Sequence, residues 1–424
     1  MKGKKELPNI ILIIADCLRQ DYAYDSKIMP FLNSFKNKNW YSTRAYTNAT
    51  DTSFAIPTIL TGLAPFEITN KPGIQKEHLH RYLPKKLKEQ GYTTIGITGN
   101  VITSKYFNFH HGFDYFQDFL FSRKENASGL FLRNASMRNK TSEKIRPAST
   151  HRWLTKKIKI ENLFKAQNIK INKKIRGGHI YNELKKINIK EPVFMFLHLM
   201  EPHAPYAPLK YCFNNSSLEK IERIVSILYK SPSDLTLKQI SFLKKMYTQE
   251  IEDLDNILRK MIKFLKSKLD WPNTICVITA DHGEALGETD YFTHPAYKLN
   301  NINHIKVPLV IKTLEETTLE VSEKEIWSWH LYEFLGIRKL EFGEGKDFCL
   351  GYRLKKVKGT ILNSESEFFP VAYFKPSKNI LLERGNSLLE INPDSEINVD
   401  IKNELKQLIS EKKRISRIVR SISK

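Results

Sequence analysis

Residues 9–16 read Asn-Ile-Ile-Leu-Ile-Ile-Ala-Asp, and this stretch decides the fold. An unbroken apolar run rich in β-branched residues predicts a strand buried on both faces, as in the middle of a parallel sheet. Two further runs of the same kind cover residues 193–198 and 275–280. We therefore predict that the runs at 10–15, 193–198 and 275–280 are neighbouring or near-neighbouring parallel strands.

Helical stretches alternate with these strand candidates. Residues 83–90 show a helical pattern that ends at Gly91, a residue suited to a helix C-cap, and a strand candidate at 92–98 follows. A shorter run at 307–311 carries a proline, so we expect it near an edge of the sheet. The alternation predicts an α/β fold with a central, mostly parallel sheet flanked by helices and a small C-terminal subdomain.

The chain is expected to divide into two parts. Residues 1–325 should form a catalytic α/β domain, which contains a segment at about 120–190 dense in Lys, Arg and Asn, here called the basic insert. Residues 326–424 should form a small α+β subdomain that ends in a helix from about residue 401. That helix is basic and amphipathic, a pattern that fits either an anionic membrane surface or packing on the parent domain.

Composition limits the classes of protein to which the chain can belong. Its 424 residues are 41% hydrophobic, which excludes a disordered chain. A net charge of +22 predicts attraction to an anionic partner such as an acidic polysaccharide or lipid, whereas no nucleic-acid-binding motif accompanies it. The N-terminal apolar run is too short for a signal peptide and no run is long enough to span a bilayer. These features predict a protein that is cytoplasmic or peripheral to the cytoplasmic face of the membrane.

Polar residues that follow buried parallel strands are the first candidates for chemistry, because ligands bind outside the carboxyl ends of such strands. Asp16 follows the first run, His203 lies beyond the second, and Asp281 and His282 follow the third. Carboxylates combined with an imidazole suit Zn²⁺ or Mn²⁺ better than Ca²⁺, which prefers oxygen ligands. Asp16, Asp281 and His282 therefore predict a divalent metal site, with Mn²⁺ or Zn²⁺ favoured.

A loop at residues 49–62 adds a further element, with Thr52 near its start and Leu60-Thr-Gly62 at its end. With this loop the chain resembles the sulfatase branch of the alkaline phosphatase superfamily. Further segments carry the resemblance, and they follow the order of the family: Pro30-Phe-Leu32, Gly112-Phe-Asp114, Glu201-Pro-His-Ala-Pro-Tyr206, Tyr247 with Glu250 and Asp255, Ala280-Asp-His-Gly-Glu284, and Leu388-Leu-Glu-Ile-Asn-Pro-Asp394. Together they cover most of the chain, apart from the basic insert.

The resemblance implies a role for each matching residue. Asp16, Asp281 and His282 match metal ligands, and Thr52 matches the nucleophile that also contacts the metal. His203 and His294 match positions that bind oxygens of the transferred group. The Asp-His pair is similar to that of phosphate-handling members, and the second of two adjacent acids in many sulfatases is replaced here by Cys17.

The nucleophile departs from the pattern of sulfatases that oxidise Cys or Ser to formylglycine. Thr52 cannot undergo that conversion, and the loop lacks the arginine of their motif. Ser53 is the alternative nucleophile, if the match of this loop to the family is shifted by one residue. Members with a Thr nucleophile are phosphoryl-type transferases and hydrolases, usually anchored by transmembrane helices, and they activate the hydroxyl through a bound metal.

These features predict a metal-dependent hydrolase or transferase that acts on phosphate-type esters through Thr52. The expected partner is an anionic phospho- or sulfo-ester, part of a surface polysaccharide or its precursor or linked to a lipid. A sulfuric ester hydrolase is the first alternative, and a non-catalytic anion-binding protein on the same fold is the second.

Overall fold

The structure is a computed structural model. It describes residues 7–65, 67–68, 73–119, 174–211, 215–230, 232–288, 292–294, 302–314, 321–322 and 325–337, together with the backbone of four later strands. Most of the predicted basic insert and the predicted helix from residue 401 lie outside these residues. Within the described part, no helix is long and apolar enough to cross a membrane.

Strands and helices alternate through the first part of the chain. The strands are β1 (Asn9–Ala15), β2 (Trp40–Ser42), β3 (Ala45–Tyr46), β4 (Thr93–Thr98), β5 (Tyr115–Gln117), β6 (Val193–Leu199), β7 (Thr274–Ala280), β8 (Ala285–Leu286), β9 (Phe292–Thr293), β10 (Leu309–Lys312), β11 (Val321–Ser322), β12 (Ile326–Trp327), β13 (Cys349–Lys355), β14 (Glu367–Lys375), β15 (Lys378–Arg384) and β16 (Ser387–Glu390). The helices are α1 (Gln20–Ala23), α2 (Pro30–Lys36), α3 (Thr52–Thr61), α4 (Leu83–Glu89), α5 (Gly177–Leu184), α6 (Asn215–Lys230), α7 (Leu237–Lys266) and α8 (His330–Ile337).

An eight-stranded, mostly parallel sheet forms the centre of the fold, with the order β11-β2-β10-β7-β1-β6-β4-β5. Strand β1 pairs in parallel with β6 on one side and with β7 on the other. Every residue of these three strands is buried, as expected for strands covered by helices on both faces. The predicted α/β class and the predicted adjacency of the three apolar runs are confirmed.

The expectation that the run at 307–311 lies near a sheet edge is wrong. Strand β10 pairs antiparallel with β7 and with β2, so it has a neighbour on each side. The proline does not interrupt this pairing, because Pro308 stands immediately before the strand begins at Leu309. A missing N–H at that position removes no hydrogen bond from the ladder.

The C-terminal part contains a four-stranded antiparallel sheet, β13-β14-β15-β16. Two elements beyond residue 325 are attached to the first part of the chain: β12 pairs with β3, and the ring of Tyr332 on α8 lies against Gly62. The division of the chain at 325/326 stays a prediction.

Asp255 on the long helix α7 caps the N-terminus of α2. This carboxylate accepts the backbone N–H groups of Phe31 at 2.9 Å and of Leu32 at 2.8 Å. Since the first N–H groups of a helix have no partner within it, Asp255 supplies the cap from a neighbouring helix.

Replacing Asp255 by Ala should lower the free energy of unfolding by roughly 1–2 kcal/mol, because two amide donors lose their acceptor. Chemical denaturation measures this change. Glu252→Ala, at an exposed position on the same helix, is the matched control and should have little effect. Equal stabilities of the two variants would contradict the capping role.

Candidate active site

The carboxyl ends of four adjacent strands converge on one group of polar side chains. Asp16 follows β1, and Asp281 and His282 follow β7. His198 lies near the end of β6, and Asn100 follows β4 after one intervening glycine. This is the edge at which open α/β sheets bind ligands.

Asp16 lies at the centre of the group and is fully buried. Its Oδ2 accepts the amide N–H of Asn100 at 2.6 Å and lies 3.6 Å from Nε2 of His198. Its Oδ1 is 3.8 Å from Nε2 of His282. Burial alone would raise the pKa of Asp16, but the nearby imidazoles, His203 first among them, hold it well below its usual range.

Asp281 and His282 face Asp16 from the adjacent strand. Oδ1 of Asp281 accepts the backbone N–H groups of His282 at 2.9 Å and of Cys17 at 3.3 Å, which fixes the carboxylate. Nδ1 of His282 donates to the carbonyl of Gly283 at 2.9 Å. Nε2 is therefore the nitrogen directed toward the carboxylates, and it is the one through which this residue would bind a metal.

Thr52 is the first residue of α3, and its hydroxyl points into the same group. Oγ1 donates to Oδ2 of Asp281 at 2.8 Å and lies 3.5 Å from Nε2 of His282. The preceding Asp51 caps the helix by accepting the N–H of Ser53 at 2.9 Å. The helix N-terminus thus places Thr52 at the carboxylates, with the positive end of the helix dipole beside it.

His203 and His294 lie on the outer side of the group, with ring centroids 5.2 Å apart. Nδ1 of His203 is bonded to the carbonyl of Ala204, which leaves Nε2 available to a ligand. Nδ1 of His294 lies 3.1 Å from Oε1 of Glu284. Burial opposes protonation of His294, but the Glu284 carboxylate raises its pKa to about 9, so it is cationic at neutral pH.

Cys17 fills the space between the two histidines and the carboxylates. Its Sγ donates to Oδ1 of Asp16 at 3.2 Å and lies 3.5 Å from Nδ1 of His294. Burial, followed by the negative charges of Glu284 and Asp16, raises the pKa of this thiol well above its ordinary value. The backbone at Cys17 has a φ of 65°, and Tyr247 holds it by donating to the Cys17 carbonyl at 2.7 Å.

The donor set fits a divalent cation. Ligand atoms of Asp16, Cys17 and His282 lie within 4.8 Å of one another, and so do those of Asp16, His198 and Asp281. Two fully buried carboxylates at this separation require positive charge between them. Nε2 of His198 is buried and has no hydrogen-bond partner among the described residues, although it faces Asp16. Carboxylate, imidazole and hydroxyl donors suit Zn²⁺ or Mn²⁺.

The structure brings together all six residues predicted from the sequence: Asp16, Thr52, His203, Asp281, His282 and His294. Their individual roles stay predictions. His198, Asn100 and Glu284 also belong to this group, but the sequence analysis assigned them no role. His198 and Asn100 carry the signal that identified Asp16, a polar residue at the end of a buried strand.

His304 supports the loops around this site. Its Nε2 donates to the carbonyl of Thr293 at 3.1 Å, next to His294, and its own carbonyl accepts the N–H of Gly283 at 2.8 Å. Burial lowers the pKa of His304 to about 4, from an ordinary value of 6.5. It is therefore neutral in the folded protein at neutral pH.

Stability should fall as the pH drops from 6.5 to 4, because the unfolded chain binds a proton at His304 that the folded chain does not. Well above pH 6.5, His304 is neutral in both the folded and the unfolded chain, so it contributes no pH dependence to stability there. The loss attributable to His304 is on the order of 3 kcal/mol. Denaturation of wild type and His304→Gln across this range should show a weaker pH dependence in the variant. His80→Gln, at an exposed position, is the control, and parallel curves for wild type and His304→Gln would contradict the assignment.

The mostly parallel sheet carries an acidic, histidine-rich site at its carboxyl edge. The chain belongs to the sulfatase family, whose profile matches residues 8–326. This confirms the resemblance read from the sequence.

Known proteins are similar to the chain in fold and in shorter segments of sequence. The phosphonate monoester hydrolase of Silicibacter pomeroyi superposes over 96% of this chain and 94% of its own, with a TM-score of 0.64 and 15% identity, a likeness of fold. An endo-4-O-sulfatase of Bacteroides thetaiotaomicron is 26% identical over 110 residues, which are 26% of this chain and 22% of that protein. The multifunctional alkaline phosphatase superfamily protein PehA of Trinickia caryophylli is 24% identical over 164 residues, 37% of this chain and 31% of PehA. The matches span less than a third of each curated relative.

Proposed function

We propose that this chain is a metal-dependent hydrolase or transferase of phosphate-type esters with Thr52 as the nucleophile. The observation that carries the proposal is the position of the Thr52 hydroxyl, 2.8 Å from Oδ2 of Asp281 and 3.5 Å from Nε2 of His282. A free hydroxyl is a poor nucleophile and needs activation of this kind. A non-catalytic anion-binding protein has no use for a hydroxyl placed there.

Asp16, Thr52, Asp281 and His282 are the residues that would hold the divalent metal. When bound, the metal lowers the pKa of an oxygen nucleophile and offsets negative charge on a transferred group. His198 is close enough to Asp16 to join or orient this set.

Thr52 Oγ1 would attack the phosphorus, forming the Oγ1–P bond as the bond from phosphorus to the leaving oxygen breaks. Asp281, which accepts the hydrogen bond from Thr52, orients the hydroxyl and would take its proton as the Oγ1–P bond forms, while the leaving oxygen takes a proton from solvent. His294, cationic beside Glu284, and His203, through its available Nε2, would donate to non-bridging oxygens of the transferred group. Water or an acceptor hydroxyl then takes the phosphoryl group from Thr52, which completes hydrolysis or transfer.

An anionic polymer or its precursor is the substrate class that we favour, because the chain carries a net charge of +22 and the site is built for an anionic ester. We place the reaction in the cytoplasm, at or near the membrane. A lipid-linked donor is compatible with this proposal. Sulfate-ester hydrolysis is the second candidate, favoured by the family profile and by the similarity to an endo-4-O-sulfatase.

A substrate screen tests the proposal. The metal-free protein is reconstituted separately with Mn²⁺, Zn²⁺ and Ca²⁺, and each form is assayed with an aryl phosphate, a phosphodiester, a phosphonate monoester and an aryl sulfate. We expect a phosphorus ester to be turned over fastest, with Mn²⁺ or Zn²⁺. Faster turnover of the sulfate ester would establish the second candidate, and no turnover of any ester would favour a binding protein.

A further inference from the structure

Lys174, a residue of the basic insert, lies close to the site. Its side chain is only 3% exposed, an uncommon state for lysine, and its Nζ forms an ion pair with Glu250 on α7. The same ammonium donates to the carbonyl of His203 at 2.6 Å and lies 3.4 Å from that of Pro205. All three N–H groups of the ammonium therefore have an acceptor, as a buried lysine requires.

Glu250 also contacts the other end of the loop at residues 203–207, whose first residue, His203, accepts the hydrogen bond from Lys174. Its carboxylate is fully buried, and Oε1 accepts the backbone N–H of Ala207 at 2.8 Å. Arg176 lies 3.3 Å from the same oxygen and donates to the carbonyl of Ala207. Lys174 thus holds the start of the loop, at His203, whereas Arg176 and Glu250 hold its end, at Ala207.

We infer that Lys174 is a positioning residue, whose ammonium holds the His203 backbone against α7 so that the imidazole stays beside His294. The inference rests on the proposed function, in which His203 contacts the transferred group. It also assigns a role to the basic insert, the main part of the chain for which the resemblance to sulfatases offered no counterpart. The insert would thus supply a residue that completes the active site.

A purely structural role is the competing explanation, since Glu250 needs positive charge wherever it is buried. The two roles differ in their dependence on His203. A structural lysine affects stability and activity whether or not the imidazole is present. A positioning lysine affects ligand binding only through that imidazole, so its effect disappears when the ring is removed.

A double-mutant cycle with Lys174→Met and His203→Ala tests the inference on the metal-loaded full chain. Isothermal titration with inorganic phosphate gives the affinity, and kcat/KM for the fastest ester gives the activity. Lys174→Met should weaken phosphate binding about tenfold, the size expected for loss of a charged hydrogen bond that fixes a ligand group. In the His203→Ala background the same change should alter binding less than about twofold.

Lys186→Met is the matched control, because Lys186 is exposed and pairs with Glu183 on the same segment. It should bind phosphate as the wild type does. If Lys174→Met does not fold, Glu250→Gln takes its place in the cycle, since it keeps an oxygen for Ala207 and weakens the hold on Lys174. An equal loss in both backgrounds, or unchanged binding by a folded Lys174→Met protein, would overturn the inference.

The phosphate titration separates this inference from the proposed function. Absence of ester turnover with an intact phosphate cycle would reject the proposed function and retain the role of Lys174. Normal turnover without coupling between Lys174 and His203 would retain the proposed function and reject the role of Lys174. A wild-type protein that binds no phosphate would reject the role of Lys174, since His203 would then have no anion to position.

Discussion

Thr52→Ala should lower kcat by about 10⁴-fold or more, as removal of a catalytic nucleophile does in other covalent enzymes. The other three proposed metal ligands and the histidines would remain, so substrate binding should change less than kcat. Acid quenching of the wild type during turnover, followed by peptide mass spectrometry, should locate a phosphoryl group on Thr52. The variant should give no such peptide.

Two further substitutions control for the position of the hydroxyl. Thr52→Ser keeps the hydroxyl and should retain part of the activity. Ser53→Ala should be mild, because Ser53 contributes its backbone N–H to the Asp51 cap and Thr52 makes the contact with Asp281. Phosphate trapped on Ser53, or full activity in Thr52→Ala, would show that the nucleophile is wrongly assigned.

Asp281→Asn and His282→Ala should each lower metal affinity and kcat/KM by at least about 100-fold. Loss of a residue that only hydrogen-bonds to a metal ligand already lowers metal affinity or activity by about 10- to 100-fold. Asp281 has a second role, since it accepts the hydrogen bond from Thr52 at 2.8 Å. Metal content after dialysis, measured by elemental analysis, should fall in parallel with activity.

Stability provides an independent measurement of the same site. A metal present at 100 times its dissociation constant stabilises a folded protein by about 2.7 kcal/mol, and both variants should lose this metal-dependent increase. Asp234→Asn, at an exposed position, should keep it. Unchanged turnover in either site variant, or in chelator-treated wild type, would refute the metal requirement.

The apolar runs by themselves determined the centre of the sheet. A strand buried on both faces needs an unbroken apolar sequence, and β1, β6 and β7 have one each. The polar residues that end these strands followed directly, because parallel strands present their carboxyl ends at one edge. Thr52 and His294 needed the resemblance to the sulfatase family, since no periodic pattern identifies a residue in a loop. His203 was a candidate from its place beyond the second run, but its expected role also came from the resemblance.

Only the tertiary structure decided how these residues meet. The hydrogen bond from Thr52 to Asp281 joins residues 229 positions apart, and the contact of Lys174 with Glu250 spans 76 positions. Strand order placed Asn100 and His198 beside Asp16. It also placed β10 between two neighbouring strands, although the run at 307–311 contains a proline. Local sequence favours a helix or a strand at each segment, and its apolar pattern indicates which residues will be buried. Side-chain convergence depends on which strands pair and in what register, and those pairings are set by contacts between segments far apart in the chain.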